Sequence, residues 1–204
     1  MKILLIDDNA TLVQMYQRIL TTGERQIEIE TDSSKAIGTI KSVRPDVILL
    51  DLMMEPVSGW EVLDLIRSDE EIADLPVLIL TGKMMTAEEA VRYGMKIDGF
   101  VMKPLERTML VAVVDEVWEI ICECEERYKK ALAAGLSEEK AKSCQQMIRK
   151  RRMLTYLKEL LNRQEKMVNL RPDEKSNLSG SIEELRQMIA TELMDLAQEE
   201  MSCP

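Results

Sequence analysis

The chain has 204 residues, a net charge of −10, 46% hydrophobic content and only 3% aromatic residues. That length suffices for one large domain or two small ones, with an aliphatic core to which the 15 methionines contribute. The absence of histidine excludes Ser–His–Asp triads, histidine acid–base work, histidine metal sites, and a histidine kinase or phosphotransfer role for this chain; the acidic balance argues against broad affinity for nucleic acid or anionic membranes.

Residues 1–104 alternate. Strand-like runs fall at 2–7, 26–30, 46–51, 76–81 and 98–102, and helix-like runs at 10–22, 33–43, 58–68 and 86–95. Each helix has a candidate N-cap: Asn9, Asp32 or Ser33, Ser58, and Thr86 followed by Glu88 and Glu89. The run VILLD at 47–51 does not alternate, as expected of a strand covered on both faces. This strand–helix repetition predicts a five-stranded parallel, doubly wound α/β sheet.

Beyond it the pattern is all-helical. Apolar positions 110, 113, 117, 120, 124, 128 and 131 step by three and four, so the fifth helix extends to about 134. Gly135 breaks it, and Ser137 caps a second long helix with apolar positions 144, 148, 154, 157, 161 and 168. The stretch NLRPDEKSNLSG at 169–180 reads as a polar linker, and Ser181-x-x-Glu184 as a capping box opening a last helix to about 201. The predicted organisation is therefore an α/β domain at 1–125 and a helical output or dimerisation region at 136–204.

Charge sorts these helices. Residues 115–126 hold six acids and no base, 140–168 nine bases against two acids, and 183–200 six acids against one base. An acidic, basic, acidic order invites the three helices to pack together, within one chain or between two. Cys122, Cys124, Cys144 and Cys203 form no CxxC pair and are read as reduced thiols. No apolar run reaches membrane-spanning length, and Met1 leads directly into a strand; a cytoplasmic protein without a targeting segment is expected.

The chemistry lies at the strand ends. Asp7 and Asp8 follow the first strand, Asp51 the third, Thr81 the fourth and Lys103 the fifth. In open parallel sheets, sites form outside the carboxyl ends of the strands. Three clustered carboxylates repel unless a cation neutralises them, and oxygen-only ligands favour Mg²⁺ or Mn²⁺. A carboxylate beside such an ion can attack phosphorus, while a lysine and a hydroxyl bind the phosphoryl oxygens. Lys103–Pro104 is a candidate cis peptide aiming the lysine inward.

ILLIDD at 3–8, VILLDLMM at 47–54 with Gly59, LILTG at 78–82 and FVMKP at 100–104 together resemble the receiver domain of two-component response regulators, over residues 1 to about 125. The resemblance implies a flavodoxin-like fold. It implies that Asp51 accepts phosphoryl from a partner histidine kinase or phosphotransfer protein, and that Asp7, Asp8, Asp51 and the backbone carbonyl of Met53 hold Mg²⁺. Thr81 and Lys103 would bind the phosphoryl group, and Phe100 would be the aromatic switch coupled to Thr81. Phosphorylation would reshape the face made by the fourth helix, fifth strand and fifth helix. Two departures stand out: Glu55 takes the place of the family's usual proline, with Pro56 after it, and Lys83 follows Thr81 by two positions.

The favoured function is a phospho-switch, not an enzyme beyond self-dephosphorylation, whose helical tail binds a partner or forms a homodimer. The alternative is a DNA-binding transcriptional regulator using the basic helix at 140–168. A phosphatase with an aspartate nucleophile is disfavoured, because such enzymes usually show DxD and this chain has adjacent acids at 7–8 and a lone acid at 51.

Overall fold

In the computed structural model, the residues described are all except 22, 84–85, 104–105, 168–171 and 201–204; for 87, 164–179, 181 and 198–200 only the backbone is described. Five strands, β1 (Lys2–Ile6), β2 (Gln26–Glu30), β3 (Val47–Leu50), β4 (Val77–Thr81) and β5 (Gly99–Met102), form one parallel sheet in the order β2-β1-β3-β4-β5. Between them lie α1 (Ala10–Leu20), α2 (Ala36–Val43), α3 (Gly59–Ser68) and α4 (Ala87–Tyr93), with short 3-10 turns at Ser33–Lys35 and Gly94–Lys96. This is the predicted doubly wound fold.

Local chemistry explains the boundaries. The Asn9 side chain accepts from the amides of Thr11 and Leu12 and starts α1. Ser58 and Thr86 each form a reciprocal capping box, with Glu61 and Glu89. Asp32, not Ser33, caps the turn before α2. β3 and β4 are buried throughout because helices cover both their faces.

Three long helices follow: α5 (Arg107–Ala133), α6 (Glu138–Met167) and α7 (Pro172–Glu200). Gly135 ends the first at φ 90°, a left-handed conformation that glycine adopts without strain, while the Leu136 amide closes on the Ala131 carbonyl. The Ser137 side chain accepts from the Lys140 amide and opens α6.

The linker expected at 169–180 is not one over its described part. Residues 172–180 are already helical, and Ser181 lies inside α7 instead of capping it. The reason is that proline at a first helical position loses no hydrogen bond and supplies the required φ, and the Asn and Ser residues after it are only weakly unfavourable in a helix. Cysteine usage also needs a correction. Cys122 and Cys124 are free, but Cys144 is disulfide-bonded. The cis peptide observed among the described residues is Glu55–Pro56; the expectation for Lys103–Pro104 lies outside the described residues.

The helical tail does not stand apart. α6 packs against α5, α7 and β5, and α7 against α6, α4 and the turn after α4. Leu154, Leu157 and Leu161 of α6 join the core layer under α3 and α4, together with Ile182, Leu185 and Ile189 of α7. Met153, Tyr156 and Leu160 of α6 join the opposite layer, under α1 and α5. α6 therefore seals the sheet at its β5 edge, where an uncovered strand would present unpaired backbone groups. Each fully buried side chain of this size contributes ~1.5–3 kcal/mol of burial.

The charge order on the helices is satisfied within the chain. Arg152 pairs with Glu123 of α5 at 2.5 Å, Arg163 with both oxygens of Glu116 of α5 at 2.9 Å, and Lys150 with Glu192 of α7. Gln146 and Arg149 reach Asp74, in the loop before β4. Among the described residues, no helix is long and apolar enough to cross a membrane.

Candidate functional site

The carboxyl ends of β1, β3, β4 and β5 bring the expected residues together. Asp7 and Asp51 are each only 6% exposed, and Thr81 is fully buried. Burying two carboxylates side by side is costly unless a cation compensates. Lys103 does so: its Nζ donates to Asp7 Oδ2 at 2.6 Å and to Asp51 Oδ1 at 3.1 Å. Burial pulls the lysine pKa down, but the hydrogen bond to Asp7 and the charges of Asp51 and Asp7 outweigh it and raise the value above normal.

Backbone amides hold the remaining oxygens. The Asn9 amide donates to Asp7 Oδ1 at 2.8 Å and the Met53 amide to Asp51 Oδ2 at 2.9 Å. The Asp51 amide donates to the Ile6 carbonyl at 2.9 Å, and the Lys103 amide to the Thr81 carbonyl at 2.8 Å, which ties β1 to β3 and β4 to β5 at the site. Gly59 fits tightly behind Asp51: a Cβ there would lie 2.0 Å from the Asp51 carbonyl oxygen.

Asp8 is placed differently. It is exposed, and its Oδ2 accepts from the Glu55 amide at 3.2 Å. Among the described residues, no three Asp, Glu, His or Cys side chains converge as a ready metal cage. The donor chemistry nevertheless fits a hard divalent ion. Three carboxylates against one ammonium leave two negative charges, all the donors are oxygen, and Met53 is 63% exposed at the rim.

Phe100 is buried on β5 opposite Ile79, inside the core layer under α3 and α4. Thr81 lies two residues further along the neighbouring strand, opposite Met102. Lys83 connects Thr81 to α4: its amide donates to Thr81 Oγ1 at 3.2 Å, and its Nζ pairs with Glu89 Oε1 at 2.5 Å. Glu89 also accepts from Trp60 Nε1 at 2.8 Å, and Trp60 stacks on Tyr93 with ring centroids 4.2 Å apart. The sequence offered Glu89 only as part of a helix cap. Neither the Glu89 bridge nor Tyr16, whose ring lies 5.9 Å from Lys103 Nζ, carries a local signal.

A family model described as the response regulator receiver domain matches residues 3–115. The chain belongs to that family. Within the receiver it is 31% identical over 113 residues to the DNA-binding response regulator MtrA of Mycolicibacterium paratuberculosis, covering 55% of this chain and 49% of that protein. It is 33% identical over 111 residues to the transcriptional regulatory protein YvrH of Bacillus subtilis, covering 54% of this chain and 46% of that protein. The chain thus spans about half the length of the curated relatives it matches. The solved receiver domain of a DNA-binding response regulator from Colwellia psychrerythraea 34H superposes with a TM-score of 0.53 at 27% identity, covering 58% of this chain and 98% of that one. Receiver domains are phospho-acceptors; in this chain Asp7, Asp51, Thr81 and Lys103 stand together at the strand ends.

Proposed function

We propose that the protein is a two-component response regulator that accepts a phosphoryl group on Asp51. The observation that carries this reading is the shared hydrogen bonding of Lys103 to Asp7 and Asp51 at the mouth of the sheet. A carboxylate oxygen of Asp51 attacks the phosphorus of a partner's phosphohistidine. The new O–P bond forms as the N–P bond breaks, and the electron pair returns to the partner's imidazole nitrogen. Lys103 then faces the phosphoryl oxygens, and the Thr81 hydroxyl supplies a second contact. Asp7, Asp8, Asp51 and the Met53 carbonyl are the groups that would hold Mg²⁺, which neutralises phosphoryl charge when bound. Hydrolysis of the acyl phosphate by water resets the site, and no further enzymatic step is required.

The output is a protein interaction. The reading of α6 as a DNA-binding helix rests on its basic charge; the relatives named as DNA-binding align only within the receiver, and three of its bases, Lys150, Arg152 and Arg163, are engaged by Glu192, Glu123 and Glu116. Apolar side chains of α6 and α7 are buried within the chain, which argues against homodimerisation through the tail.

The reading is tested with fluoroberyllate, a phosphoryl mimic, and Mg²⁺. Trp60 leads through Glu89 and Lys83 to Thr81, so its fluorescence is expected to change saturably in the native protein and not in Asp51→Asn. No saturable change in the native protein contradicts the reading. A low-salt DNA shift assay is expected to show no complex; a tight one would favour the DNA-binding alternative.

A further inference from the structure

The α6–α7 hairpin sits on the face that phosphorylation is expected to reshape, made of α4, β5 and α5. We propose that the hairpin is a permanent, built-in occupant of this face, so that the signal from Asp51 passes through the hairpin and not through its release or through pairing of two receivers there. The proposal rests on the phospho-acceptor reading above.

Three observations carry it. First, α6 belongs to both core layers. Leu157 joins the layer under α3 and α4, Leu160 the opposite one, and neither is exposed at all. A detachable domain rests on a finished surface, whereas lifting α6 would open both layers at the β5 edge.

Second, α7 comes closest to the end of α4 where α4 ends in a glycine. A Cβ at Gly94 would lie 2.2 Å from Leu185 Cδ1. Leu185 is 1% exposed, so α4 and α7 meet without intervening solvent.

Third, the contact is complementary in charge as well as shape. Glu123 and Glu116 of α5 meet Arg152 and Arg163 of α6. Coupling between two sites in a protein typically shifts an equilibrium by ~5–150-fold. The apolar side chains of α6 and α7 buried in the two core layers favour the docked hairpin. On this proposal phosphorylation tilts the hairpin and does not eject it.

A continuous chain of contacts is available for the tilt. It runs from Thr81 to the Lys83 amide, from Lys83 Nζ to Glu89, from Glu89 to Trp60, from Trp60 to Tyr93, and from the adjoining Gly94 to Leu185.

Hydrogen exchange of the full chain tests this, read by mass spectrometry with and without Mg²⁺ and fluoroberyllate. In untreated protein, residues 153–161 are expected to exchange as slowly as β3; exchange as fast as an exposed helix would overturn the docking. With the mimic, protection of 153–161 is expected to hold within about tenfold, with changes confined to 81–96 and 182–189, and light scattering is expected to show an unchanged mass. Faster exchange over 153–161 by much more than that, or a doubled mass absent from Asp51→Asn, would overturn permanent occupancy. Gly94→Val is expected to speed exchange over 182–189 while leaving β3 unchanged, and an unaltered 182–189 would count against the contact. Acceptance of phosphoryl by Asp51 is read separately from intact mass after acetyl phosphate. Its failure would sink the transmission step and the functional reading, while the untreated arm would still decide the docking.

Discussion

At the scale of single residues, Lys103 decides whether the site can exist. It is the cation found between two buried carboxylates, so the two sides of the cluster respond differently to mutation. Lys103→Met leaves Asp7 and Asp51 facing each other without compensation, and is expected to destabilise the fold by about 3 kcal/mol in urea denaturation. Asp51→Asn removes the excess negative charge and leaves the Lys103–Asp7 pair, so it is expected to fall within about 1 kcal/mol of the native protein or to be more stable. Equal losses in the two variants would contradict the geometry. The raised pKa of Lys103 fixes the pH dependence. The stability it contributes is fully present below the unfolded lysine value of about 10.4 and is lost as pH rises through the higher folded value. The stability gap between native protein and Lys103→Met should therefore close in strongly alkaline solution and be constant near neutrality. Gly59 acts by space alone: the Cβ of Gly59→Ala would collide with the Asp51 carbonyl. A loss of about 1–3 kcal/mol is expected, together with weakened acceptor activity; unchanged melting and phosphorylation would show that the loop relaxes freely.

At the scale of elements, the sheet and its helices were legible because local signals agree with the tertiary fold. β3 reads as a continuous apolar run because it is covered on both faces, and Asn9, Ser58 and Thr86 cap where their sequences suggest. The site residues were legible for the same reason: each follows an apolar run, so the strand end that positions it is visible. What periodicity cannot show is the surface against which an amphipathic helix packs. The spacing of 144, 148, 154, 157 and 161 in α6 predicted a buried stripe, and all five positions are buried. Nothing in that spacing indicated that Leu157 and Leu160 would close the β5 edge. Residues 172–180 misled because Pro, Asn, Ser and Gly mark loops on average, whereas a proline in the first turn supports a helix. Glu89 was half legible: its capping box is local, but its bonds to Lys83 and Trp60 arise from packing.

At the scale of the whole molecule, helix charge and helix burial contribute unequally. The Arg163–Glu116 pair is 44% and 35% exposed at its two side chains, so it is worth under about 1 kcal/mol. Leu157 is fully buried, and Leu157→Ala is expected to cost about 2–5 kcal/mol. Denaturation of Arg163→Ala and Leu157→Ala should rank them in that order; the reverse would mean that charge holds the hairpin and that high salt should loosen it. Packing thus fixes the hairpin, and the acidic, basic, acidic order selects which helices meet. The same packing places receiver and tail in shared core layers, along which the proposed route from the site to α7 runs. All of this matters for function only if Asp51 takes the phosphoryl group. The most direct test is intact-mass and peptide mapping of the full chain after acetyl phosphate and Mg²⁺, with Asp51→Asn and a chelator as controls. The account predicts one phosphoryl group, mapped to Asp51 and absent from both controls. No incorporation, or incorporation that persists in Asp51→Asn, would contradict it.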